Sequence, residues 1–496
     1  MKKTKSDHGD HSDLQQAWQH AKNHLPILTA NSGSLLDTCA QDETKSKGLK
    51  AALEFISQAK HIKAIRKIEE LLKVLKEPSD TISANMLISE CFYNLGRLTD
   101  SLNALQKAFV VAASQGDNIA MASCLSNQSM ILLIRGELDE ADRLLDKAQK
   151  IFKQEDEKSG EAFDLIAKGL IMREWGRLEE AYQNCIAALE LSKEVDYKVG
   201  VALSLSHLGT IYRSLGEMDQ ALPSHLEALD LFRKIGSLHG EAEELANIGH
   251  NHRDRGDLEK AKNFHEESLD IHRQMAFRLG EANQLSNVGL IHHSRGNLDT
   301  ALKFYQKALE LHREVGYRRG EAADLVNIGL IFRARGNLDK ALQAYQSASG
   351  IDRDIGYRRG EAEDLVSIGL IYRVQGDFDS ALQALLQALE IHKEIHFPRG
   401  EAAALGNIGL IFADRGALDE ALTAYHEALE IDRRIGYRQG EVAALGNIGL
   451  LYKVVGQNEL ALQYLQEAYS IQDTLNLPYG KDVFERAIRE LEKNQN

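Results

Sequence analysis

The chain has 496 residues, 43% of them hydrophobic and 6% aromatic, with only 5 prolines, 27% charged residues and a net charge of −15. That length suits several globular domains or one long repeat array, and the scarcity of proline favours helix. So acidic a balance argues against a general nucleic-acid binder, because phosphate binding draws on many basic contacts. No run of about 18 apolar residues offers a membrane span.

From the start, Met1-Lys2-Lys3-Thr4-Lys5 leads into polar residues instead of an apolar core, which is not a secretory leader. Residues 1–12 read as disordered and Leu14–Leu28 as a short helix, within a polar segment spanning 1–47. His20 and His24 sit four apart there without a third ligand nearby. Cys39, Cys91, Cys124 and Cys185 are scattered and form no CxxC pair, the pattern of reduced thiols. A cytoplasmic location is the expectation. Residues 1–80 hold 13 Lys/Arg against 11 Asp/Glu, leaving 46 against 63 for the rest, so the acidity belongs to the body of the chain. Residues 48–80 predict a degenerate helix pair, with Ala64-Ile65 and Leu71-Leu72 in its second helix and a break at Glu77-Pro78-Ser79.

From there a ruler of 40 residues governs the sequence. Glycine recurs at 96, 136, 176, 216, 256, 296, 336, 376, 416 and 456, and five residues on stands Ala141, Ala181 and so forth to Ala461, with Ser101 as the small replacement. A second glycine series runs from 160 to 480 at the same spacing. Such self-similarity marks a repeat architecture. In the unit 321–360, Ala322, Leu325, Ile328, Gly329 and Phe332 predict an amphipathic helix ending near Gly336. Ala341, Leu342, Tyr345, Ala348, Ile351 and Ile355 place a second stripe on the following helix, with Asp339 near its positive end. Gly356 stops that helix as a left-handed cap and Tyr357 folds back over it. Neither stripe can be buried alone, so each pair needs its neighbours. Ten pairs fit between 81 and 480, and 481–496 predicts a capping helix. Pro223 falls inside a second helix and predicts a kink unless it lies in the first turn.

Ile328-Gly329, Phe332, Ala341, Tyr345 and Ala348 resemble, position by position, the tetratricopeptide repeat. The units lack that motif's closing proline and carry a longer Ile-Gly-Tyr-Arg joint. In this they are similar to the 40-residue repeats of Pins/LGN spindle-orientation adaptors and, more loosely, to kinesin light chains and bacterial MalT-like regulators. The resemblance covers roughly 81–480. It implies an all-α fold, a right-handed superhelical solenoid of antiparallel helix pairs whose first helices line a concave face.

Three rows follow on those first helices. Two residues before each Leu-Gly-type glycine stand Asn127, Asn247, Asn287, Asn327, Asn407 and Asn447, with His207 and Ser367 as substitutes. Three residues on come Leu290, Leu330, Leu370, Leu410 and Leu450, and three further Arg173, Arg213, Arg253, Arg333 and Arg373, with His293, Ala413 and Lys453 departing. An asparagine offers donors and an acceptor to an extended backbone, and the resemblance implies a peptide-binding Asn at this position. Leucines supply apolar contact, and arginines match carboxylates bidentately. The candidate groove is therefore Asn247, Asn287, Asn327, Asn407, Asn447, Arg213, Arg253, Arg333, Arg373, Leu290, Leu330 and Leu370. Other roles stay open: the asparagines can bond the next repeat, the arginines can pair with acids such as Asp254 or Asp414, and a one-step rotation makes the leucines core. Arg318, Arg319, Arg358, Arg359 and Arg438, in the joints, are assigned to the glutamates opening the next units, Glu321, Glu361 and Glu441.

Chemical motifs are missing: no HExxH, GxxxxGK[ST] or GxSxG occurs, and the carboxylates repeat instead of forming one unique pair. His250, His252, His265, His272, His292 and His293 cluster; metal binding or pH sensing is one reading. His252, His265 and His292 hold the motif's aromatic positions, which points to packing. The expectation is a non-enzymatic scaffold or adaptor with no cofactor, binding an acidic linear segment of a partner protein and neither membrane nor nucleic acid. A regulator that changes superhelical shape on a peptide signal is the alternative.

Overall fold

The computed structural model describes Cys39 and residues 43–57, 60–474 and 481–495. The expected helix over Leu14–Leu28, the polar start and the His20/His24 pair lie outside the described residues. Twenty-three helices and no strand occur among the described residues. Contacts divide the chain into two compact units, Met1–Asp324 and Leu325–Asn496.

The first unit holds α1 (Glu43–Ser57), α2 (His61–Leu72), α3 (Pro78–Asn94), α4 (Leu98–Gln115), α5 (Asn118–Arg135), α6 (Leu138–Gln154) and α7 (Lys158–Glu174). It continues with α8 (Leu178–Glu194), α9 (Lys198–Leu215), α10 (Met218–Ile235), α11 (Leu238–Asp254), α12 (Leu258–Gln274), α13 (Arg278–Ser294) and α14 (Leu298–Val315). The unit boundary falls within α15 (Arg318–Ala334). The second unit holds α16 (Leu338–Asp354), α17 (Arg358–Gln375), α18 (Phe378–Glu394), α19 (Pro398–Asp414), α20 (Leu418–Arg434), α21 (Arg438–Val454), α22 (Asn458–Thr474) and α23 (Lys481–Gln495). Each is an all-α solenoid of helix pairs, because each helix packs chiefly on the ones before and after it in sequence.

The alanine column is the close-packing seam. Ala141, Ala181, Ala221, Ala261, Ala301, Ala341, Ala381, Ala421 and Ala461 are fully buried where the two helices of a pair approach. At the far end of α16, Gly356 adopts φ 73 and the Tyr357 N–H donates to the Asp352 carbonyl at 2.8 Å, closing the helix. Four joints reach the same left-handed geometry without glycine, at Asp156, Asp196, Ala276 and His396. Helix α10 runs unbroken through Pro223, which lies beyond the first turn. The predicted kink does not interrupt it. Helix α23 ends the stack by burying Phe484, Ala487 and Leu491 against Leu445 and Leu465.

At the joints a glutamate is gripped by two arginines. Glu361 accepts from Arg353 at 2.7 Å and Arg358 at 2.5 Å, and its side chain is only 4% exposed. Glu281, Glu321 and Glu441 repeat the grip with Arg273 and Arg278, Arg313 and Arg318, and Arg433 and Arg438. Arg319 and Arg359 turn elsewhere, to Glu174 and Glu363.

The first unit also touches itself over long distance. Tyr93, at the end of α3, stacks on Phe277 with ring centroids 6.0 Å apart. Met275, Phe277 and Leu279 form a buried cluster that Tyr93, Leu238 and Tyr317 cover. Gly96 is buried against Val315, and Arg319 reaches Glu174 at 3.8 Å. The turns that follow the early first helices thus lean on the joints that precede the later ones.

Candidate functional site

Successive first helices touch one another as well as their own partners (α7 with α9, α9 with α11, α17 with α19, α19 with α21), while successive second helices make at most marginal contact. Within each unit, the first helices therefore lie on the inner side of the bend. Their Asn, Leu and Arg rows sit three residues apart, on one helical face.

In the asparagine row, Asn247, Asn287, Asn327, Asn407 and Asn447 are all half-buried. Three of the amides turn to their own helix rather than to the next repeat. Asn247 Nδ2 donates to Glu244 at 3.2 Å, Asn287 Nδ2 to Gln284 at 3.3 Å, and Asn407 Nδ2 to the Ala403 carbonyl at 2.9 Å. Leu290, Leu330 and Leu370 are half-buried too. Leu330 leans on the core around Tyr345, and Leu410 and Leu450 lean on the one around Tyr425 and Leu445. The leucines are shared between core and surface.

The arginine row is mostly spoken for. Arg213 reaches Asp254 in the next pair at 3.0 Å, and Arg253 grips the same carboxylate at 2.9 Å. Arg373 reaches Asp414 at 2.6 Å. Arg333 alone of the four candidate arginines is exposed and makes no ion pair among the described residues.

Another column on the first helices lies between adjacent pairs, and the sequence reading missed it. Ser126 Oγ donates to Asp164 at 2.5 Å, and Ser206 and Ser286 donate across the same 38-residue step to Glu244 and Asp324. Histidines from second helices meet the same groups: His225 to Glu244 at 2.8 Å, His312 to Asp324 at 2.7 Å, and His265 to Gln284 at 2.9 Å. Its signal was present as a polar residue three places after the opening glutamate of five repeats, at 164, 244, 284, 324 and 364, whereas Glu401 and Glu441 are followed by Ala404 and Ala444. Burial pushes the Asp164 carboxyl up to about 8 against the opposing Ser126 bond. Burial and then the neighbouring Asp352 push Asp364 up to about 8. Asp324 is raised by burial, with His312 pulling the other way.

These groups hold neighbours together without assembling a nucleophile. Ser206 and His225 both bond the Glu244 carboxylate, so the imidazole is not placed to take the hydroxyl proton. Other histidines of the cluster pack against rings. His252 stacks on Phe264 at 5.3 Å and His292 on Phe304 at 5.4 Å. Burial pushes His265 down to about 4 and His272 to about 3, so both stay neutral near pH 7. Among the described residues no group of three potential metal ligands comes together, and no helix is long and apolar enough to cross a membrane.

Comparison with known proteins matches this geometry. A family profile described as "Tetratricopeptide repeat" matches residues 165–234, 201–274, 280–354, 360–434 and 400–474, together more than half of the chain. No curated protein matches the sequence. Among solved structures, a Rap protein complexed with competence and sporulation factor superposes with a TM-score of 0.50 at 15% identity, covering 80% of this chain and 99% of its own. Yeast Tom70 gives a TM-score of 0.48 at 15% identity, covering 92% and 97%. At such identity the likeness to the Rap protein speaks for the fold alone.

Proposed function

We propose, from the premise that the chain belongs to the tetratricopeptide-repeat family, that it is a non-enzymatic adaptor whose first-helix faces hold an extended, acidic segment of a partner polypeptide. The observation that carries this reading is the half-buried leucine row beside half-buried asparagines, on helices whose other side is fully packed. A leucine shared between core and surface is already ordered, so covering it with a foreign side chain costs little entropy. The asparagines beside it offer amide groups to a backbone lying across the helices. Arg333, exposed and without an ion pair among the described residues, favours a carboxylate on that backbone, by local field and not by net charge.

The same arrangement disfavours nucleic acid. Arg213, Arg253 and Arg373 are neutralised by Asp254 and Asp414, and the aromatics beside the row, Tyr212, Phe332 and Tyr372, pack against the core instead of standing ready to stack bases. Four buried cysteines, with Cys91, Cys124 and Cys185 thiols pushed up by burial, suit a reducing cytoplasm.

The test is to capture partners from the native cytosol, cross-link them and map the bound segments. The reading expects short linear stretches whose synthetic copies compete for capture, and Leu330→Asp with Leu370→Asp abolishing it. Partners that bind only as folded domains, with no competing peptide, would overturn it.

A further inference from the structure

The ion pairs along the inner faces share one spacing. Arg213 reaches Asp254 and Arg373 reaches Asp414, each across 41 residues, from the last turn of one first helix to the last turn of the next. Arg333 holds the same register in α15, and 41 residues on the chain carries Val374 instead of an acid. Arg333 is exposed and unpaired among the described residues, and Val374 is 67% exposed. The acid nearby in sequence, Asp339, is engaged by the Gln375 amide at 3.3 Å. Lys340 lies over the Phe332 ring at 5.5 Å.

A guanidinium without a carboxylate and a large apolar side chain without cover thus occupy the two halves of one rung. Leu330 stands three residues before Arg333 and Leu370 four before Val374, both half-buried. A cation gains most from an anion where no internal anion already holds it. An exposed valine gains from apolar cover. One ligand chemistry meets both demands: a side-chain carboxylate with an aliphatic side chain next to it, on an extended peptide.

We propose that the Arg333–Val374 rung is the point at which this protein selects its partner, by accepting a glutamate or aspartate flanked by an aliphatic residue. The proposal rests on the adaptor reading above. It goes further in naming the residue pair and in making the other rungs, closed by Asp254 and Asp414, indifferent to ligand charge.

The probe is a fluorescein-labelled peptide of alternating Glu and Leu, amidated at its C-terminus so that its carboxylates are side chains, with a Gln-Leu peptide as control. Full-length protein is titrated by anisotropy. The Glu-Leu peptide is expected to bind at least tenfold more tightly than the control. Val374→Asp supplies the missing internal acid at the spacing by which Asp414 holds Arg373, and is expected to erase that preference without lowering the melting temperature. Arg333→Gln should erase it too, Val374→Leu should keep it, and Asp414→Val should open a second rung and strengthen Glu-Leu binding several-fold. If Val374→Asp keeps the full preference, the rung proposal is overturned and peptide binding stands. If neither peptide binds the unaltered protein, the adaptor reading falls with it.

Discussion

Replacing Gly96 with alanine should destabilise the first unit more than the same change at Gly136, and the difference measures its long-range contact. Both glycines end a first helix in the left-handed region, at φ 73 and φ 84. An L-residue held there costs about 1–2 kcal/mol. Around Gly136 a new Cβ would meet nothing within 4 Å, so that cost is the whole effect. At Gly96 the Cβ would lie 2.6 Å from the Cβ of Val315 and 3.2 Å from its carbonyl oxygen. Val315 is buried and β-branched, so it cannot swing aside, and overpacking of this kind adds about 1–3 kcal/mol. The expectation is about 1–2 kcal/mol for Gly136→Ala and about 2–5 kcal/mol for Gly96→Ala. Repeat arrays can unfold in parts, so hydrogen exchange resolved along the chain is the better assay, with urea titration beside it. Gly96→Ala should weaken protection both around Tyr93 and in the segment from Met275 to Val315. Equal costs at the two glycines, or lost protection confined to the neighbourhood of residue 96, would refute the contact.

The buried acids give a pH dependence of known sign. Asp164 and Asp364 titrate near 8 when folded, against about 4 in an unfolded chain, so folding takes up protons between those values. Their contribution is complete below about pH 4 and is lost as pH rises to about 8; Asp164→Asn with Asp364→Asn should flatten stability across pH 5–8, and a curve parallel to the unaltered protein's would count against it. Glu361→Ala should cost about 1–3 kcal/mol in denaturant titration, because two charge-assisted bonds go while the freed arginines regain water. Glu363→Ala, removing an exposed pair with Arg359, should cost about 0–1 kcal/mol, and equal losses would refute the distinction. Ala276→Gly should stabilise by about 1 kcal/mol, since Ala276 sits at φ 47, and a fall in melting temperature would contradict this.

What the sequence made legible is whatever repeats with the ruler. The helix pairs, the buried alanine seam and the arginine–glutamate joints recur every 40 residues, and recurrence separates them from chance. Even Asp254 and Asp414 could be named as partners for the arginines, because they stand one unit further along the same face. The interface column was written in the same register but passed over among carboxylates that repeat and form no unique pair. An acid at 164 or 364 looks alike in sequence whether it faces water or a neighbouring pair. Only the packing of Ser126 over Asp164, or of Asp352 beside Asp364, reveals a buried and raised carboxyl. The contact between Tyr93 and Phe277 left no mark at all. It depends on small rotations accumulated over successive pairs, and Gly96 belongs to a series of ten glycines that look identical from the sequence.

On the proposed reading, the departures from the ruler carry the functional information. A partner's carboxylate that approaches Arg213 or Arg373 must displace Asp254 or Asp414, so one ion pair is exchanged for another and little is gained. At Arg333 nothing has to be displaced, because Val374 took the acid's place. Under that reading the internal acids would act as competitors that silence individual rungs, and binding strength would not grow with the number of repeats. A uniform arginine ladder would grip any acidic chain in any register. On the proposed reading, a face of unit 2 closed at Asp414 and open beside Val374 confines the gain there to one register, which is how a repetitive surface acquires selectivity.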